Sequence, residues 1–245
     1  MLLRTENISL NIGGLQVLKD VNLDIHKGDV TSIIGPNGAG KTTLFNVITG
    51  RMSPTKGKVF FKNEEITNLP PFRISEGGIA RSFQITNLFR GMSVLDNICI
   101  AAQTRSTHRC SLFTSTSKDK TISKKAEETL ALVGLGGLKC KLAGELSHGD
   151  QRRLEIGMSL AIEPELLLLD EPTSGMSPLE TQATVGLIKS LSERVTICFI
   201  EHKMNLVMTL SDKIIVLNLG EKVAEGGPHA VASNKKVQEV YLGTV

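Results

Sequence analysis

The stretch Gly35-Pro36-Asn37-Gly38-Ala39-Gly40-Lys41-Thr42-Thr43 constrains the fold of this chain more than any other part of its sequence. It fits G-x-x-x-x-G-K-[ST] and lies between the apolar run Val30 to Ile34 and the helical run Thr42 to Thr49, the strand-loop-helix setting that the motif requires. Glycines let the backbone turn tightly so that its N–H groups point inward at phosphate oxygens, and the helix N-terminus adds the positive end of a dipole. Lys41 then reaches the β- and γ-phosphates of a nucleotide, and the Thr42 hydroxyl holds Mg²⁺.

The flanking sequence supplies a matching scaffold. Val30 to Ile34, Leu166 to Leu169 and Val195 to Ile200 are short and almost continuously apolar, as in central parallel strands covered on both faces, and helical patterns follow them. Val21-Asn22-Leu23-Asp24-Ile25-His26 instead alternates apolar with polar residues, which predicts an antiparallel strand with one wet face. Together they predict an α/β core of parallel strands with an antiparallel β layer near the N-terminus. Between Ile85 and Gly144 the strand-like runs disappear. Ser93-Val94-Leu95-Asp96 has capping-box spacing, and Ala126, Leu130 and Val133 share a helical face that stops at Gly134. A helical subdomain inserted into the core is therefore expected, with its Ser-, Thr- and Lys-rich middle, Thr104 to Ser123, as solvated loop.

Several polar groups stand where such a core binds ligands. Leu166 to Leu169 runs into Asp170-Glu171-Pro172, placing two carboxylates at the carboxyl end of a buried strand, a poor position for unpaired charges. Opposite a Mg²⁺-nucleotide, Asp170 takes a water-mediated place around the metal and Glu171 polarises the water that attacks the γ-phosphate. Leu146-Ser147-His148-Gly149-Asp150-Gln151-Arg152 opens a helix that runs toward Pro164. By itself this is a well-capped helix, or else a helix N-terminus whose hydroxyl and free N–H groups bind phosphate. Gln84 and His202 are, in isolation, ordinary polar residues, yet each follows an apolar run and fits the same ligand-binding edge. Ser177-Pro178-Leu179-Glu180 is a further capping box with proline at the first helical position.

Composition removes other classes. With 40% hydrophobic and 22% charged residues and a net charge of +3, the chain has neither the bias of a disordered or collagen-like protein nor a basic patch for nucleic acid. The cysteines, Cys99, Cys110, Cys140 and Cys198, form no C-x-x-C pair, so reduced thiols are expected. The N-terminus turns polar too soon for a signal peptide, and no apolar run nears the ~20 residues that span a bilayer.

In order and spacing these segments resemble the ATP-binding subunits of ABC transporters over nearly the whole chain. The resemblance implies a P-loop ABC ATPase core over residues 1–84 and 145–245, with an antiparallel β layer, and a helical subdomain over 85–144 that docks on membrane subunits. It identifies Gly35 to Thr43 as the Walker A loop, Gln84 as the Q-loop glutamine that senses Mg²⁺ and γ-phosphate, and Leu146 to Asp150 as the signature. Asp170 and Glu171 match the Walker B pair, Ser174-Gly175-Met176-Ser177 the D-loop and His202 the switch histidine. The family works as a head-to-tail pair of cassettes, so Ser147 and the Gly149 backbone are implied to complete the partner's ATP site. The other implied partners are two integral-membrane permease subunits and, through them, a substrate-binding protein, which puts the chain on the cytoplasmic face of the inner membrane. Gly13-Gly14-Leu15, Ile48-Thr49-Gly50, Ile79 to Gln84 and the ending Glu239-Val240-Tyr241-Leu242-Gly243 look like the LivG type of branched-chain amino acid importer. Urea-importer ATPases of the same subfamily share much of this pattern. A non-transport P-loop switch fits less well: Asn234-Lys235-Lys236-Val237 lacks the aspartate of a guanine-reading motif, and neither a second cassette nor a long coiled coil is present.

The chain departs from the family at two places. His148 and Asp150 stand where the widest signature consensus has Gly and Gln. Before Gly13-Gly14, where relatives often place an aromatic ring against adenine, this chain has Ile12, so adenine is expected to rest on Ile12 and Val17. The lost stacking is worth about 1 kcal/mol. Ile12→Tyr is accordingly expected to tighten ATP binding by about that amount. Calorimetric titration of both forms with ATP and GTP checks this, and no gain for ATP rejects the stacking argument.

Overall fold

The computed structural model describes residues 1–82, 88–103 and 120–242. The chain opens with β1 (Leu3–Ile12) and β2 (Leu15–Ile25), an antiparallel hairpin turned at Gly13 and Gly14, both with positive φ. Val21, Leu23 and Ile25 are buried while Asn22 is exposed, so the period-two pattern of β2 is that of a sheet with one face covered. With β4 (Lys56–Phe61) and β5 (Glu64–Glu65) the hairpin forms a four-stranded sheet in the order β2-β1-β4-β5.

The second sheet carries the ligand-binding edge. It comprises β3 (Val30–Ile34), β6 (Ile79–Ser82), β7 (Leu166–Asp170), β8 (Thr196–Ile200), β9 (Lys213–Asn218) and β10 (Glu221–Gly226), in the spatial order β10-β9-β3-β8-β7-β6. All neighbours are parallel except β10, which returns antiparallel to β9. The nearly continuous apolar runs follow from coverage on both faces. Ile33, Leu166, Leu168, Cys198 and Ile200 face a core shared with the antiparallel sheet and with α1 (Lys41–Ile48). Ile34, Leu167, Leu169, Ile197 and Phe199 face a second core.

That second core is closed by helices: α3 (Val94–Gln103), α4 (Lys120–Leu132), α5 (His148–Ala161), α6 (Pro178–Ser192), α7 (Met204–Leu210), α8 (Pro228–Ala232) and α9 (Lys235–Leu242). A short α2 (Pro71–Gly77) leads into β6. Ser93 accepts from Asp96 N at 3.0 Å at the start of α3, while Ala126, Leu130 and Val133 are fully buried up to Gly134, whose φ is +70°. The stretch expected as loop, Thr104 to Ser123, is corrected at its end: residues 120–123 form the first turn of α4, whose apolar face packs on α3 and α5. Tertiary packing there overrides the weak local helix propensity of Thr and Ser. Residues 104–119 lie outside the described residues, as does Gln84.

Candidate functional site

The phosphate loop owes its glycines to close backbone approach. A Cβ on Gly35 would lie 2.0 Å from the Leu217 carbonyl oxygen, so the turn out of β3 excludes any other residue. Gly40 caps α1 with φ +97°, in the left-handed region, and offers no side chain to the first N–H groups of the helix. No acidic residue lies in the first turn of α1, so its amides and dipole remain suited to an anion. Pro36, Asn37 and Gly38 line the outer part of the loop, partly or fully exposed, Ala39 is buried beneath it, and Thr42 and Thr43 are half-buried. Lys41 is 6% exposed and its Nζ donates to the carbonyls of Gly35 and Pro36, both at 2.8 Å. Burial pulls the Lys41 ammonium below the usual lysine range, while the charges of Glu171 and Asp170 oppose this.

One further turn completes the loop's support. Leu219 and Gly220, both with positive φ, join β9 to β10, and Gly220 N donates to Ala39 O at 3.1 Å while Lys19 N donates to Gly220 O at 2.9 Å. A Cβ on Gly220 would lie 2.4 Å from the Val17 carbonyl oxygen. Val17 thereby lies beside the start of α1, its carbonyl 3.1 Å from a Cβ built on Gly40. Ile12, at the end of β1, is 45% exposed.

At the end of β7 the two carboxylates differ in environment. Asp170 is fully buried, and its Oδ2 accepts from Arg81 at 2.7 Å, while Oδ1 has no hydrogen-bond partner among the described residues. Arg81 also donates to Asn46 Oδ1 at 2.7 Å, so one guanidinium from β6 ties Asp170 to the phosphate-loop helix. Burial lowers the Arg81 pKa, and the pairing with Asp170 counters this. Glu171 leaves the strand with φ +47°, held by its N–H to the Ile200 carbonyl at 3.0 Å. Its Oε1 lies 2.7 Å from His202 Nε2. Arg152 of α5 donates to the Asp170 carbonyl and, at 3.3 Å, to that of Glu171.

Lys41, Asp170, Glu171 and His202 therefore converge at one edge. Ser147 and Gly149 do not join them. Ser147 caps α5 by accepting from Asp150 N at 3.1 Å, and Gly149 N donates to Glu180 Oε1 at 3.0 Å. Arg81, Arg152 and Gly220 were not singled out by motif. A charged residue inside the apolar run Ile79 to Ser82 was the available signal for Arg81, because a buried cation requires a partner.

A phosphate loop on a doubly covered parallel sheet, with a carboxylate pair and a histidine at its carboxyl edge, defines a P-loop nucleotide-binding cassette. An ABC transporter family model matches residues 18–174, and a branched-chain amino acid ATP-binding cassette transporter model matches 221–245. The chain belongs to the ABC transporter family, among its ATP-binding subunits. It is 38% identical to the high-affinity branched-chain amino acid transport ATP-binding protein LivG of Escherichia coli K12, covering 99% of this chain and 98% of that one. Identity to the protein BraF of Pseudomonas aeruginosa, described in the same words, is 37%, with the same coverage. The crystal structure of the ADP conformation of an ABC transporter cassette superimposes with a TM-score of 0.88 at 36% identity over 99% of each chain. A dimeric cassette in a post-hydrolysis state with ADP and Pi gives a TM-score of 0.79 at 27% identity, over 92% of this chain and 98% of that one.

Arg81→Met leaves the Asp170 carboxylate buried without its cation and is expected to destabilise the chain by about 3–5 kcal/mol. Urea unfolding measures the loss. Replacing both partners, as Arg81→Met with Asp170→Leu, should recover most of it, and no recovery would show that the pair is not what holds this region.

Proposed function

We propose that the chain is the ATP-hydrolysing subunit of an importer for branched-chain amino acids, acting as one of two cassettes beneath two permease subunits. The observation that carries this is the convergence of buried Lys41, paired Asp170 and the Glu171–His202 contact on one edge of the sheet. The transport names of LivG and BraF, matched over nearly the full chain, support the substrate class. No described helix is long and apolar enough to cross a membrane, which suits a subunit held at the cytoplasmic face of the inner membrane by its partners.

Mg²⁺ keeps several waters and takes one or two protein oxygens beside the phosphates. The Thr42 hydroxyl on the first turn of α1 and the unpartnered Asp170 Oδ1 fit that donor set, and Gln84 is assigned beside them. Among the described residues no cluster of three acidic, His or Cys groups offers a cage for another metal. When bound, the ion neutralises charge on the β- and γ-phosphate oxygens.

The protein's residues divide the remaining work. The loop amides from Gly35 to Thr43 and the Lys41 ammonium hold the phosphates and stabilise charge that builds on the γ-phosphoryl oxygens. Ile12 and Val17 support adenine. Glu171 accepts the proton of the attacking water as its oxygen bonds to the γ-phosphorus and the bond to the β-phosphate oxygen breaks, releasing ADP. His202, 2.7 Å from Glu171 Oε1, orients that carboxylate. Ser147 and the Gly149 amide complete the site of the other cassette, so ATP joins the pair and its hydrolysis releases it.

Glu171→Gln should lower ATP turnover at least a hundredfold while ATP binding persists and drives dimerisation, since only the proton acceptor is lost. Unchanged turnover sinks that assignment. Lys41→Ala should abolish ATP binding measured by calorimetry, and tight binding would count against the phosphate cradle. For the substrate, ATPase stimulation of the complex co-purified from membranes is compared with branched-chain amino acids and with urea. Stimulation by urea alone overturns the amino-acid reading.

A further inference from the structure

The signature amide assigned above to the other cassette's phosphate has an anionic acceptor within its own chain. Gly149 N donates to Glu180 Oε1 at 3.0 Å. The other oxygen, Oε2, accepts from Ser177 N at 3.0 Å and from the Ser177 hydroxyl at 2.8 Å. One side chain thus completes the capping box of α6 and reaches across to the second residue of α5. The fit is close: a Cβ on Gly149 would lie 2.7 Å from Oε1, so any side chain there would push the carboxylate off the amide. Beside this contact, a Cβ on Gly175 would lie 3.4 Å from the His148 ring, so the segment after Glu171 packs directly on the start of α5.

We propose that Glu180 is an internal stand-in for the γ-phosphate, a carboxylate latch on the Gly149 amide that must swing away when a second cassette brings ATP to the signature. The latch rests on the dimer reading given above. One N–H cannot serve a carboxylate and a phosphate at hydrogen-bond distance at once, because two anions so close repel strongly. Docking therefore exchanges one charge-assisted hydrogen bond for another, and Glu180 sets the ATP threshold at which the pair forms. The hydrogen bonds from Ser177 and Gly149 hold the Glu180 carboxyl below the usual carboxylate range, so the latch is charged at neutral pH. The chain from Glu171 through Ser174 to Ser177 leads directly to Glu180, so loss of the γ-phosphate frees the amide for the carboxylate to retake it.

Glutamine also serves in a capping box, so Glu180→Gln removes the charge while sparing α6. In the Glu171→Gln background, adding Glu180→Gln should lower the ATP concentration for half-maximal dimerisation roughly three- to tenfold in sedimentation velocity. An unchanged or higher ATP requirement, with the parent still dimerising, overturns the latch. A parent that stays monomeric at saturating ATP rejects the dimer reading, and the latch with it. The contact is tested separately in the monomer: the Gly149 amide proton of Glu180→Ala should move upfield and exchange several-fold faster than in the unmutated chain. A Gly149 amide insensitive to that change also overturns the proposal.

Discussion

The structure depends on the burial of its parallel strands on both faces. β3, β7 and β8 send alternate side chains into two separate cores, so their interiors admit apolar residues and small hydroxyls such as Thr31 and Ser32 but no charge, and the charge of Asp170 stands at a strand end. Because the strands are parallel, those ends share one edge. The Gly35 turn, the Asp170–Glu171 pair and His202 are neighbours for that reason, although they are far apart in the sequence.

Charge at that edge is managed by pairing. Asp170 is fully buried and accepts from Arg81 through one oxygen, while the other has no hydrogen-bond partner among the described residues. Glu171 sits one residue further out, on a backbone with φ +47° that bonds to Ile200 and Arg152, and its side chain contacts His202. Adjacent carboxylates therefore have different surroundings because one ends inside the strand and the other begins the turn.

The signature is tied to this edge from behind. Arg152 on α5 holds the carbonyls of Asp170 and Glu171, while Glu180 on α6 holds the amide of Gly149. Both links run between α5 and the segment that follows β7. Glu171 thus has a covalent and hydrogen-bonded connection to the start of α5.

Much was legible in the chain itself. The loop from Gly35 to Thr43, the apolar strand runs and the capping residues Ser93, Ser147 and Ser177 act through local geometry, and local geometry is set by neighbouring residues. Residues 120–123 were misassigned because their helix is stabilised by packing of α4 on α3 and α5, which no local pattern of Thr, Ser and Lys reveals. Arg81 with Asp170, Gly220 with Val17, and Glu180 with Gly149 are contacts between segments that only the folded chain brings together. The sequence by itself determined the glycine turn from Gly35 to Gly40 and the capped starts of α3, α5 and α6, because these are set by neighbouring residues. Only the tertiary structure decided which carboxylate is paired, which is poised and which amide is held, because burial and partner distance exist only once distant segments have packed.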